Sequence, residues 1–251
     1  MEKTMTEERQ IVNNVAPLRN VTALIALIDR LENRAFGLPG MACFYGHSGY
    51  GKTTAACHAE NARRAYQVQV KSTWARKKFC EATLAEMSLR PEKTIGDMVD
   101  QIGEHLAVTG ATLIIDEADF LVDRNMIEIV RDIHESSHSP VILIGEELLP
   151  QKLMRWERIH GRMTDWVRAQ EATLDDVNQL CKSYGSGIAF DSQMHAAILK
   201  HSQRSIRRIS INIARIAEHA RVRGLETITL EDWDARQFFT GEAPTPLKGL
   251  A

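Results

Sequence analysis

The sequence predicts an α/β fold in which helices cover a parallel sheet and a small all-helical domain follows it. Three observations carry this. Apolar runs of strand length, "MACFY" (41–45), "YQVQV" (66–70), "ATLIID" (111–116) and "PVILIG" (140–145), alternate with helix-period segments near 52–64, 76–89, 95–107 and 122–136. Strands separated by helical lengths of chain pair in parallel and are buried on both faces. From about residue 173 the pattern turns to helices alone.

Taken in order, Val21, Leu24, Ile25, Ile28 and Leu31 recur at helical spacing, and Pro39-Gly40 separates that amphipathic helix from the first strand. Thr followed three residues later by Asp marks helix starts at Thr94/Asp97, Thr173/Asp176 and Thr229/Asp232. Past 173, four helical segments are expected: "TLDDVNQLCKSY", "DSQMHAAILKHS", "RSIRRISINIARIAEHARV" and "TLEDWDARQFF". The expected division is an N-terminal helical segment (1–38), a core (39–171), a helical domain (172–240) and a flexible tail rich in Pro and Gly (241–251). There is no internal repeat.

At 251 residues with 25% charged side chains, the chain can bury one full core and a smaller second one. A net charge of -2 argues against a uniformly basic nucleic-acid coat, so any contact with DNA has to come from a local patch. Cys43, Cys57, Cys80 and Cys181 form no C-x-x-C pair, and the charged start "MEKTMTEERQ" lacks a signal-peptide pattern, which points to a reducing cytoplasm. The apolar runs fall far short of the roughly 20 residues that cross a bilayer.

The chemistry is written in "GHSGYGKT" (46–53), which follows the first strand, opens a helix and fits G-x-x-x-x-G-K-[ST] in full. Glycines let backbone N–H groups surround a phosphate at a helix amino end. The expected nucleotide contacts are Gly46, His47, Ser48, Gly49, Tyr50, Gly51, Lys52, Thr53 and Thr54, with Lys52 on the β- and γ-phosphates and the Thr53 hydroxyl on Mg2+. The run "LIIDEAD" delivers Asp116 to the end of a buried strand as a second magnesium-shell ligand, with Glu117 beside it to polarise water. That adjacent acid suits an ATPase better than a small-molecule P-loop kinase.

The phosphate loop, the D-E strand end, the strand "VILIG" and the helical domain resemble the AAA+ ATPases, and within them the phage Mu transposition protein B family and related transposon target-selection ATPases. The resemblance spans roughly residues 20–240. It implies a P-loop AAA+ core with a helical lid, ATP and Mg2+ as cofactors, and assembly of copies into a filament or ring on duplex DNA. It also implies a transposase partner that is recruited to the coated DNA. Arg162, in "ERIHGRMTDWVRAQ", matches an arginine that sits just before a last short strand and reaches the neighbouring subunit's nucleotide, with Arg158 as the alternative. Arg207 matches the arginine that returns to the γ-phosphate, while Arg204, Arg208 and Arg215 are expected to face water or DNA. The departure is Glu146, where the family places a neutral polar sensor: a second carboxylate near the γ-phosphate repels the nucleotide unless it is paired with an arginine or turned away, which implies either slow or conditional hydrolysis or that Glu147 or a later residue takes over. The family's added N-terminal DNA-binding domain is not expected, because few residues precede the phosphate loop.

"HESSH" (134–138) fits the zinc-protease signature, but two serines and then Ser139-Pro140 interrupt it, so metal binding is not expected. The histidines read as surface or interface residues, and Cys43 and Cys57 as small core residues. The basic segment "VKSTWARKKFC" (70–80) follows the second strand and places Lys71, Thr73, Trp74, Arg76, Lys77 and Lys78 as candidate DNA contacts. Two functions are therefore expected to compete: a DNA-coating ATPase of the target-selection type, and an AAA+ loader or remodelling machine acting on a protein complex.

Overall fold

The structure, a computed structural model, describes residues 18–35 and 37–242. The segment before Leu18 and all but the first two residues of the expected flexible tail lie outside the described residues.

The chain divides into two compact units, one covering Asn20–Gln170 and the other containing the described residues from Glu171 onward. The larger unit is a five-stranded parallel sheet of order β2-β3-β4-β1-β5, made of β1 (Met41–Tyr45), β2 (Ala65–Gln69), β3 (Thr112–Asp116), β4 (Val141–Gly145) and β5 (Met163–Arg168). Strands β3 and β4 are buried along their whole length, as central parallel strands covered on both faces must be. The fifth strand, "MTDWVR", has no fully buried position and was not picked out by hydrophobic runs. Helices α1 (Arg19–Glu32), α2 (Lys52–Ala62), α3 (Arg76–Glu86) and α4 (Ile95–Thr109) belong to this unit. Helix α1 buries Val21, Leu24, Leu27, Ile28 and Leu31; Leu27 takes the fully buried place expected of Ile25, which is half-buried.

The single helix expected near 122–136 is two, α5 (Asp119–Asp123) and α6 (Glu128–Ser137). Asn125 breaks it by adopting φ 53°, a left-handed conformation that asparagine tolerates better than most residues. Two short helices, α7 (Leu149–Leu153) and α8 (Glu157–His160), lead from β4 to β5.

The smaller unit holds α9 (Leu174–Tyr184), α10 (Ser192–His201) and α11 (Ile206–Val222). The expected Thr94 and Thr173 caps are present: each side chain accepts the N–H of the residue three positions on, and Thr173 with Asp176 closes a reciprocal capping box. The fourth helix expected at 229–239 is not formed. Thr229 and Asp232 do close a capping box, but it opens only a 3-10 turn, Leu230–Asp232, followed by a second at Ala235–Gln237. Trp233 turns extended between them and is buried against His219 and Phe238, so aromatic burial overrides the cap. Nor is the region wholly helical: β6 (Ala189–Phe190) and β7 (Thr227–Ile228) pair in parallel, with Ile228 buried. Among the described residues no helix is long and apolar enough to cross a membrane.

Candidate nucleotide site

All five strands run in parallel, so their carboxyl ends meet at one edge, the usual place for ligands in such sheets. Strand β1 ends at Tyr45 and passes into the glycine loop. Gly46, Gly49 and Gly51 adopt φ of 156°, 86° and 81°, conformations that a side chain would resist. At Gly46 a Cβ would also press on Ala169, 3.2 Å from its methyl carbon. Gly51 caps α2 without a side-chain acceptor and the first turn of α2 carries no acid, so its leading amides and positive dipole end are open to an anion.

Lys52 Nζ donates to the carbonyls of Gly46 at 2.6 Å and His47 at 2.9 Å, curled back over its own loop. Burial lowers its pKa, while Asp116, Glu117, Glu146 and Asp119 oppose that shift. Thr53 Oγ1 donates to Asp116 Oδ2 at 2.7 Å, which joins the two expected magnesium ligands across 63 residues of sequence. A hydroxyl and a buried carboxylate beside a phosphate loop are hard oxygen donors that fit Mg2+. Thr54 is exposed one position further along α2.

Glu117 sits at φ 57°, a left-handed conformation that costs a non-glycine residue about 1–3 kcal/mol and clusters at working sites. Its backbone N–H donates to Asp116 Oδ1 at 2.9 Å. Burial, then Asp116 and Glu146, raise the Glu117 pKa above the ordinary carboxylate value, and Lys52 pulls the other way. The charge of Glu146 raises the pKa of both Lys52 and Glu117, and its own side chain is exposed. Glu147 bridges His47 of the phosphate loop at 3.2 Å and Arg168 at 2.9 Å. His47 packs edge-on against Tyr50, 5.4 Å between ring centres.

Two residues that brace the site were not singled out from sequence. Asn20, buried in α1, donates to the carbonyls of Tyr50 at 2.7 Å and Gln170 at 2.8 Å, and accepts the Gln170 N–H at 2.8 Å. It fastens the phosphate loop to the end of β5. The available signal was a polar residue on an apolar helix face, in register with Leu24, Leu27 and Leu31. Asp119, also buried, accepts the Glu146 N–H at 2.7 Å and pairs with Lys152 at 3.0 Å, fixing the turn after β4. Gly145 lacks a side chain because a Cβ there would collide with the Asp119 carboxylate and Leu149.

Arg162 lies at the other edge of the sheet. Its carbonyl accepts the N–H of Met41, the first residue of β1, whereas the phosphate loop follows the last. Five strand residues separate the two ends, about 16 Å. Its guanidinium is paired with Glu135 at 2.6 Å, and Arg158 is exposed on α8. Arg207 is exposed in the first turn of α11. Nearby Arg204 pairs with Glu171 at 3.7 Å and Arg208 bonds Gln203, so both are partly engaged rather than simply solvated. Arg215, expected to face water or DNA, lies 5.1 Å over the Phe239 ring, a cation–π contact.

The basic segment leaves β2 at the same edge as the phosphate loop. The carbonyl of Asp116 accepts the N–H of Val70 at 2.9 Å, and a turn closes from Lys71 to Trp74. Lys71 Nζ stands 6.0 Å over the Trp74 ring, which packs on the core, so the indole braces the turn. Lys71, Thr73, Arg76, Lys77 and Lys78 are exposed. Arg76, Lys77 and Lys78 fill the first turn of α3 with no acid among them, against the helix dipole.

No group of three or more His, Cys, Asp or Glu that could hold a metal ion occurs among the described residues, "HESSH" included. His134 is a core residue rather than a surface one. Its Nε2 accepts the Gly40 N–H at 3.2 Å, which leaves Nδ1–H to donate to the Ser139 carbonyl at 2.9 Å. Cys43 is buried as expected, with its thiol pKa pushed well up by burial; Cys57 is exposed, because α2 turns that face outward.

Residues 37–153 match the family model described as an AAA domain. No curated protein gives a significant sequence match. The structure is similar to the ORC2 protein of Aeropyrum pernix in its ADPNP-ADP complexes, at 14% identity and TM-score 0.64 over 95% of this chain and 73% of that one. It is similar to the ORC1 protein of the same organism in complex with DNA, at 16% identity and TM-score 0.62 over 88% of this chain and 65% of that one. Domain III of the Thermotoga maritima replication initiation protein DnaA aligns at 15% identity and TM-score 0.57 over 88% of this chain and 92% of that one. The fold is that of a P-loop AAA+ protein with a helical C-terminal region. This chain spans less than two thirds of the ORC1 chain.

Proposed function

We propose that this protein is an ATP-dependent, DNA-binding AAA+ ATPase whose copies assemble on duplex DNA without sequence preference. The observation that carries the reading is the shared sheet edge. The pair Thr53–Asp116, Lys52 and Glu117 stand beside a basic turn whose leading amide is bonded to Asp116 itself. When bound between Thr53 and Asp116, Mg2+ would draw charge from the phosphate oxygens. The glycine loop and the first-turn amides of α2 hold the phosphates, Lys52 exchanges its two carbonyl partners for phosphate oxygens, and Glu117 orients the attacking water. Arg162 completes the site of a neighbouring copy.

Lys71, Thr73, Arg76, Lys77 and Lys78 contact DNA phosphates, which gives strong salt dependence. Within this reading, the finer function is target selection for transposition with a transposase as partner; it rests on the resemblance of the motifs. A second reading, an AAA+ loader or remodeller acting on a protein complex, is favoured by the likeness to a replication initiation protein.

Binding to random-sequence duplex with ATP, with ADP and without nucleotide separates the two. ATP-dependent binding that weakens steeply with salt supports the first, and affinity indifferent to nucleotide sinks it. Lys52→Ala is expected to abolish ATP-driven assembly, whereas Glu117→Gln is expected to trap it with hydrolysis lost.

A further inference from the structure

In the corner that resembles a zinc motif, one side chain reaches beyond its own helix to Arg162. His134 is spent on Gly40 and Ser139, and the carbonyl of His138 receives Arg34. Glu135 instead faces a cavity of about 490 Å³ that it lines together with Arg34, His134 and Arg162. Its Oε1 alone accepts both Nε (3.1 Å) and a terminal nitrogen (2.6 Å) of Arg162, while Oε2 turns towards Arg131 at 3.9 Å. Arg162 therefore meets one oxygen where its planar fork matches two. Both side chains are about two-fifths exposed (43% and 42%), so the pair is screened and weak. Arg34, in the same cavity, is held by the carbonyls of Leu31, Leu38 and His138 and is not available for exchange.

We propose that Glu135 is a latch on Arg162. In the free subunit it keeps the guanidinium against α6, and it yields that group when a neighbouring copy presents a triphosphate, whose paired oxygens and higher charge suit the fork better. Glu135 thereby sets the ATP concentration at which copies associate, and suppresses association without nucleotide. The proposal rests on the reading above that Arg162 acts between copies.

The test compares the full chain with Glu135→Gln, Arg162→Ala and the double variant, following assembly on duplex DNA by light scattering as ATP and Mg2+ are raised. Nucleotide affinity is measured separately, below the assembly threshold. Glu135→Gln keeps the shape and removes the charge; it is expected to lower the ATP midpoint for assembly about two- to fivefold, in keeping with an exposed pair. Intrinsic nucleotide affinity is expected to stay unchanged, and the gain to vanish in the double variant. An unmoved or raised midpoint in Glu135→Gln overturns the latch, as does a gain that survives without Arg162. If Arg162→Ala alone assembles like the parent, the reading between copies fails first and takes the latch with it. A defective Arg162→Ala beside an unmoved Glu135→Gln removes the latch alone.

Discussion

Asn20 satisfies two carbonyls and one amide that no secondary structure serves, and all three lie where the phosphate loop meets the end of β5. Asn20→Ala leaves these groups unpaired and is expected to cost about 1–3 kcal/mol of stability, read as a shift of the urea midpoint. Asn20→Asp is expected to be worse, since a carboxylate would face the oxygens of Tyr50 and Gln170; equal losses in the two variants would contradict the bonding described. His134 supplies a pH dependence. Burial lowers its pKa from an ordinary value near 6.5, so the unfolded chain takes up the proton first as acid is added. Its contribution is complete above about pH 6.5 and is lost as pH falls through the lower, folded-state value. The slope of melting temperature against pH below 6.5 is expected to flatten in His134→Gln, though not to vanish, because His195 is shifted in the same direction. The site residues legible in sequence were those with a fixed spacing, such as Gly46 to Thr53. Asn20 and Asp119 were not, because what they bond to is decided by how distant segments pack.

Helix α3 opens with Arg76, Lys77 and Lys78, and the carboxylate within reach of both lysines, Glu81, stands 4.0 and 3.9 Å from them. A helix selected for stability alone would place acids in that turn. Lys77→Glu is accordingly expected to leave stability within about 0.5 kcal/mol at low salt, because the gain at the dipole is offset by the like charge of Glu81 four residues on. The same change is expected to weaken duplex binding and flatten its salt dependence. Stability and DNA affinity lost together would point to a structural role for the turn. Helices and strands with strong periodicity were legible, and β1 is the run expected from 41 to 45. The short edge strand β5 was expected only through the resemblance, as the strand after Arg162, because none of its positions is fully buried; the break between α5 and α6 was missed because it depends on one left-handed residue, Asn125. The 3-10 turns after Thr229 show a local cap outweighed by burial of Trp233.

For the larger unit as a whole, parallel strands give the sheet two unlike edges, with Lys52 and Asp116 at one and Arg162 at the other. On the reading proposed above, a subunit cannot complete its own site. Two inactive variants are therefore expected to rescue each other: Lys52→Ala keeps an arginine to lend, and Arg162→Ala keeps a phosphate loop to receive it. Mixing them is expected to restore ATPase activity that neither has alone, rising with total protein concentration. Additive, near-zero rates would argue that Arg162 has no role between copies.

The bond from the Val70 amide to the Asp116 carbonyl lets one be watched through the other. Because that carbonyl belongs to the residue whose side chain holds Thr53, a shift of β3 on nucleotide binding would loosen or tighten the shelter of a single backbone hydrogen three residues before the first exposed threonine of the basic turn. Deuterium uptake at the Val70 amide is thus a built-in gauge of whether the carboxyl ends of β2 and β3 move together, legible without any substitution.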